Sequence, residues 1–238
     1  MTNKFKLLLA IIYALGLGAL LYYVFRNFDF SQINNYAYIK ENSLFLVEYK
    51  SKHFVLFTLL FFIFGVVWVF FLGFGSPIAI ISGFIFGKWY GTLISVFAFS
   101  FGSSLLYILV SFYFKDFVIK NFSQKIEKYK NLFNQNEFLY FMLFRLAGGG
   151  GIPFGIQNIL PVIFDMKIKN YFFSTLLGLI PTVFIINSLG SGVETLIVGN
   201  DTLNLIDILF APEIYIPILF FLSFIFLSLF LKNKFFKN

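Results

Sequence analysis

Long apolar runs, two of them broken by glycine and proline, constrain this chain more than any motif does. Leu7 to Phe25 and Gly91 to Phe114 are each long enough as helix to cross a hydrocarbon core of roughly 30 Å, for which about 20 apolar residues suffice. Phe54 to Phe86 and Phe138 to Phe164 are equally apolar but carry Gly/Pro clusters near their middles. Helix interiors disfavour such clusters, because proline lacks an amide donor and glycine loses more backbone freedom on ordering. Lipid tolerates non-helical backbone at membrane depth only where it is buried in protein or lines a wet cavity. The chain therefore reads as an all-α, polytopic integral membrane protein with two interrupted segments. Composition agrees: 59% of residues are hydrophobic and only 12% charged, where soluble domains are about a quarter charged.

Composition also excludes several kinds of chemistry. There is no cysteine, so disulfides, thiolate metal sites and a cysteine nucleophile have no material. His53 is the sole histidine, which leaves no metal centre and no Ser/His dyad, and Ser191 between Gly190 and Gly192 reads as a loop serine. No enzyme and no cofactor is implied. The net charge of +7 is carried by residues flanking hydrophobic runs, not by a groove-lining patch, so nucleic acid is not the expected partner. No hydrophilic stretch is large enough to fold alone. Residues 1–53 read as a first transmembrane helix and a polar connector, 54–192 as the core, and 193–238 as an outside loop and a last transmembrane helix.

Along the chain, Leu7 to Phe25 is read as an uncleaved first span, since it exceeds the usual 7 to 15 residue core of a signal peptide. Arg26 to Lys52 is an exposed, partly helical connector. Gly73, Gly75, Ser76 and Pro77 divide the segment from Phe54 to Phe86 into two half-elements; the alternative is an ordinary span from Phe54 to Leu72 with the Gly/Pro cluster looping out at the surface. Gly87, Lys88 and Trp89 mark an interface. In Lys115 to Glu137, Val118, Phe122, Ile126, Tyr129 and Phe133 recur at helical spacing among lysines, the pattern of a basic amphipathic helix on a membrane surface. Tyr171 to Leu189 is the next span, with Ser174, Gly178 and Thr182 on one face and a kink expected at Pro181; Gly190 to Pro212 is a loop, and Glu213 to Leu231 is the last span.

Lysine and arginine gather on the cytoplasmic side of short loops. Placing Lys4, Lys6, Lys115, Lys120, Lys125, Lys128, Lys130, Lys167, Lys169, Lys232, Lys234 and Lys237 inside leaves only Arg26, Lys40, Lys50, Lys52 and Lys88 outside, with Arg145 within the membrane. Both termini are then cytoplasmic. Glu137 and Asp165 both fall inside, so the second broken segment must enter and leave from the cytoplasm, and by the same count the first must start and end outside. The expectation is about four full transmembrane helices plus two oppositely facing re-entrant helical hairpins, each followed by a full span, an inverted repeat of the transporter kind.

Arg145 is the residue most out of place, in an apolar string just before Gly148, Gly149, Gly150 and Gly151. An intramembrane arginine costs roughly 2.5 to 3.5 kcal/mol on insertion scales and marks a functional site by default. Its planar donor fork suits a phosphate or carboxylate, and the glycine run can turn amides toward an anion. Pro153 suits the first turn of the return helix, from which Gln157 and Asn158 project polar amides. The structural alternatives are an arginine that snorkels to the surface or pairs with Glu137 or Asp165, and glycines that merely permit a tight reversal.

The string Pro77-Ile-Ala-Ile-Ile-Ser-Gly83-Phe-Ile-Phe86-Gly87-Lys-Trp-Tyr-Gly91 resembles a signature of the DedA superfamily. Phe144-Arg145-Leu146, then Pro153 to Asn158, Gly178-Leu-Ile-Pro181 and Gly190, is similar to its VTT-domain branch. That resemblance implies two facing re-entrant loops, lipid transport (scrambling in eukaryotic relatives, return of undecaprenyl phosphate carriers in some bacterial ones) and often dependence on the proton-motive force. The acidic residue that many members carry ahead of the first proline has no counterpart between Phe70 and Ser76. The expected function is a lipid or lipid-phosphate translocase binding an anionic headgroup near Arg145, with membrane lipids as partners and a bacterial cytoplasmic membrane as its place. The alternative is a non-transporting membrane-organisation factor that recruits lipid or a partner through the basic helix.

Overall fold

The computed structural model describes residues 3–27, 36–126, 133, 135–199 and 210–235, and among them all regular structure is helical. In chain order the α-helices are α1 (Asn3–Asn27), α2 (Tyr36–Lys52), α3 (Phe54–Leu72), α4 (Ser76–Tyr113), α5 (Lys115–Ile126), α6 (Glu137–Leu146), α7 (Phe154–Ile159), α8 (Ile168–Gly199) and α9 (Pro212–Phe235). Two 3-10 turns, Gly148–Gly151 and Leu160–Phe164, flank α7. Four helices are long and apolar enough to cross a membrane over Leu7–Asn27, Phe54–Phe71, Ser76–Tyr113 and Ile168–Gly199. With that length and hydropathy the chain is an integral membrane protein.

Both expected breaks are present. The first lies at Gly73 to Gly75, where Gly73 ends α3 in the left-handed conformation and Pro77 enters the first turn of α4. Gly75 is packed so closely that a Cβ would lie 2.6 Å from the Phe99 ring. A second interruption inside α4 falls at Gly87, whose φ of 76° and ψ of 171° only glycine adopts readily. The residues from Ser76 to Phe86 thus form a half-helix distinct from the long segment that follows. Its end is capped from outside the helix: the Lys50 ammonium at the end of α2 donates to the Ile85 carbonyl at 2.6 Å. The carbonyls of Phe70 and Phe71 in the last turn of α3 both accept from the Tyr13 hydroxyl of α1, at 2.8 Å each.

The main packing is α4 against α8. Glycines let the backbones meet: a Cβ on Gly83 would fall 2.0 Å from the Asn187 carbonyl oxygen, one on Gly91 2.5 Å from Asn187 Oδ1, and one on Gly190 2.0 Å from the Ile80 carbonyl oxygen. Gly102 of α4 lies against the Val66 carbonyl of α3, and Gly178 of α8 lies against the Met142 carbonyl of α6. The two breaks themselves touch, since a Cβ on Gly73 would sit 3.0 Å from Gly155 Cα.

Several expectations need correcting. The span expected to end at Leu189 continues as helix to Gly199, because Gly190 and Gly192 are packing glycines against Ile80 and Glu213, not loop residues. Pro181, where a kink is expected, lies inside α8. Pro153 stands just before α7, with extended ψ of 138°, not in its first turn. Glu137 opens α6 behind an Asn136 cap whose side chain accepts from Leu139 N, so it does not end the basic helix. That helix runs from Lys115 to Ile126; Tyr129 and the lysines at 128 and 130 lie outside the described residues. The alternative of α3 as a membrane-length helix is met in its length, yet its Gly/Pro end packs against Gly155 and Phe99 and does not loop free.

Candidate functional site at Arg145

Helix α6 is short because four glycines follow it, and all four take positive φ, between 63° and 83°. Such a run is closed to side chains, which rarely adopt that backbone. Arg145 sits in the last turn of α6, where the helix dipole favours a cation. Its side chain is 1% exposed, so it neither snorkels nor faces lipid. The guanidinium lies between two rings, with Cζ 4.8 Å from the Phe141 centroid and 4.9 Å from that of Phe154.

Its hydrogen-bond partners are all neutral. Arg145 Nη1 donates to Gln157 Oε1 at 3.2 Å, and Nη2 donates to Asn158 Oδ1 at 2.6 Å and to the Tyr171 hydroxyl at 3.3 Å. Arg145 Nε and Asn158 Nδ2 are buried donors with no partner among the described residues. The expected carboxylate alternatives are engaged elsewhere. Asp165 pairs with Lys115. Glu137 accepts from Lys167 N and from Asn170 Nδ2. Among the described residues no carboxylate reaches the guanidinium. A buried charge without a counter-ion costs several kcal/mol, and none stands beside Arg145 among the described residues.

Gln157 ties the arginine to the glycine turn, its Nε2 donating to the carbonyls of Ile152 at 2.6 Å and Gly148 at 3.4 Å. That explains Gly149, where a Cβ would lie 2.0 Å from Gln157 Nε2. Gly148, Gly150 and Gly151 are exposed, as is Pro153. The structure thus brings Arg145, Gly149, Gln157 and Asn158 together, and leaves Gly148, Gly150, Gly151 and Pro153 on the open side of the same turn.

Two tyrosines that carry no motif complete the site. Tyr171 is fully buried, donates to the Asn158 carbonyl at 3.1 Å, and lies stacked between Tyr107 at 4.5 Å and Phe141 at 5.3 Å. The Tyr107 hydroxyl donates to the Met166 carbonyl at 2.6 Å. Together they fasten the second broken segment to both long helices. The only sequence signal for them is that tyrosine stands in apolar runs where phenylalanine is the usual aromatic, 39 Phe against 13 Tyr.

A helical membrane protein whose two interrupted segments meet, with a buried arginine beside one of them, defines the class. Residues 73–192, which contain both breaks and all of the site, match the family model of the VTT domain. The chain belongs to the VTT-domain family, within the DedA superfamily. It is similar to a transmembrane protein 41 homolog of Caenorhabditis elegans, 26% identical over 137 residues that cover 55% of this chain and 55% of that protein. It is also similar to the uncharacterized protein YqeD of Bacillus subtilis (strain 168), 28% identical over 116 residues, 48% of this chain and 55% of that protein. The chain thus matches about half the length of these relatives. No solved structure matches it.

Proposed function

We propose that this protein is a lipid or lipid-phosphate translocase in which Arg145 receives the anionic headgroup while the two broken segments alternate access. The observation that carries this reading is the buried guanidinium whose own Nε, and the Nδ2 of its neighbour Asn158, are donors without a partner among the described residues, while the groups that accept from Nη1 and Nη2 are neutral. A phosphate would neutralise the charge and accept from both donors. The exposed glycine turn supports the same reading, because exposed non-helical backbone at membrane depth requires water or a polar ligand.

On this reading the broken segments are re-entrant hairpins of opposite sense. Gly102 follows Pro77 at the same separation as Gly178 follows Pro153, and each glycine packs against the first half of its own broken segment, α3 or α6. That correspondence favours an inverted repeat, with substrate handled where the repeats meet. The charge distribution then favours cytoplasmic termini. Reconstitution tests the reading: in vesicles of phosphatidylcholine and phosphatidylglycerol, the protein should expose inner-leaflet fluorescent phosphatidylglycerol to an external quencher faster than protein-free vesicles do. Equal rates would refute it.

A further inference from the structure

Away from Arg145, the lipid-facing side of α4 and α8 carries two adjacent apolar grooves. One, of about 320 Å³, lies between them and is lined by Phe101, Leu105, Ile108 and Phe172, with Ser104 in its wall and Lys169 as its charged residue. The other, of about 450 Å³, shares Leu105 and Ile108 and is completed by Phe70, Phe112 and Tyr113. The shared residues are therefore a ridge with a groove on each flank. Tyr107 faces Tyr171 across the two helices, so the end of α4 and the start of α8 lie at one membrane edge. Lys169, in the first turn of α8, stands at that edge and is exposed.

We infer that these grooves hold one diacyl phospholipid with an anionic headgroup, a chain on either side of the Leu105–Ile108 ridge and the phosphate on Lys169. Two observations commit the site to that occupant. The grooves open to hydrocarbon, where an acyl chain is the available filler, and two grooves flanking one ridge match two chains leaving one glycerol. The cation is free to receive a phosphate: Asp165 is held by Lys115, Glu137 by Lys167 N and Asn170, and among the described residues no carboxylate pairs with Lys169. The site is separate from the Arg145 pocket and does not depend on translocation.

Native mass spectrometry of the full-length protein, released from micelles holding equal dioleoyl phosphatidylglycerol and dioleoyl phosphatidylcholine, tests this. The wild type should retain one phosphatidylglycerol in preference to phosphatidylcholine. Lys169→Gln should lower that preference about fivefold, the effect of one lysine at an anionic headgroup. Leu105→Trp, which fills the groove, should lower retention of both lipids. A statistical mixture on the wild type, or an unchanged preference in Lys169→Gln, overturns the proposal; Lys169 is exposed, so its variant folds whatever becomes of Leu105→Trp.

Discussion

Replacing Gly190 by alanine should loosen the main helix crossing of the protein. The new Cβ would fall 2.0 Å from the Ile80 carbonyl oxygen and 2.9 Å from Phe84 N, and both neighbours are backbone. Even a favourable carbon-to-oxygen contact needs about 3.3 Å, so α4 and α8 must part by roughly 1.3 Å. No flexible side chain can absorb that, and Gly83 is seated as tightly against Asn187 in the same crossing. Overpacking of this kind costs about 1 to 3 kcal/mol, and a crossing made of backbone on backbone lies at the upper end. Alanine returns about 1 kcal/mol of helix propensity, which leaves a net loss of about 2 kcal/mol. At roughly 2 to 4 °C per kcal/mol for a chain of this size, the melting temperature should fall by about 4 to 8 °C. Tryptophan fluorescence of the purified protein reports it locally, because Trp89 lies 4.8 Å from Phe184 at this crossing. Gly18→Ala is the control, as nothing stands within 4 Å of its Cβ, and it should melt at or slightly above the wild type. A Gly190→Ala protein that melts with the wild type would refute the packing argument.

Other outcomes follow from the same contacts. Gly155→Val has no room for its branched methyls beside the Gly73 carbonyl, 3.1 Å from the Cβ position, and should slow lipid translocation in vesicles about tenfold, equivalent to about 1.4 kcal/mol of misfit at the meeting point of the breaks. Tyr107→Phe leaves the buried Met166 carbonyl without its donor, and should lower stability by about 1 to 3 kcal/mol in a melting measurement. Lys115→Ala removes an ion pair whose acid is 72% exposed and should shift melting by less than about 1 kcal/mol, with no salt dependence of the wild type beyond that.

How far the sequence revealed this structure depends on what each residue signals. Gly75 with Pro77, and the glycines before Pro153, announce their breaks because few other residues fit there. Gly190 and Gly192 carry the same letter but serve close packing, and only the partner helices at Ile80 and Glu213 distinguish the two uses. Thus the end of α8 was hidden while the breaks were not. Arg145 is legible because charge is rare in an apolar run. Its neutral partners Gln157 and Asn158 were visible on the return segment, whereas Tyr171 and Tyr107 look like ordinary membrane aromatics until the fold stacks them together. Asn187 was missed for the same reason: one amide on a long helix says nothing until Gly83 and Gly91 close over it.

The central claim is that Arg145 serves an anion and not the fold, and Arg145→Met separates the two. Methionine keeps an apolar bulk between the Phe141 and Phe154 rings and removes a buried charge with no counter-ion among the described residues, which offsets the about 1 to 3 kcal/mol each of leaving Gln157 Oε1 and Asn158 Oδ1 without that donor. Measured side by side, melting and translocation of fluorescent phosphatidylglycerol should diverge: the variant melts close to the wild-type temperature and moves lipid no faster than protein-free vesicles. Wild-type translocation by the folded variant would contradict the account, and a collapse of melting would assign the arginine to structure instead.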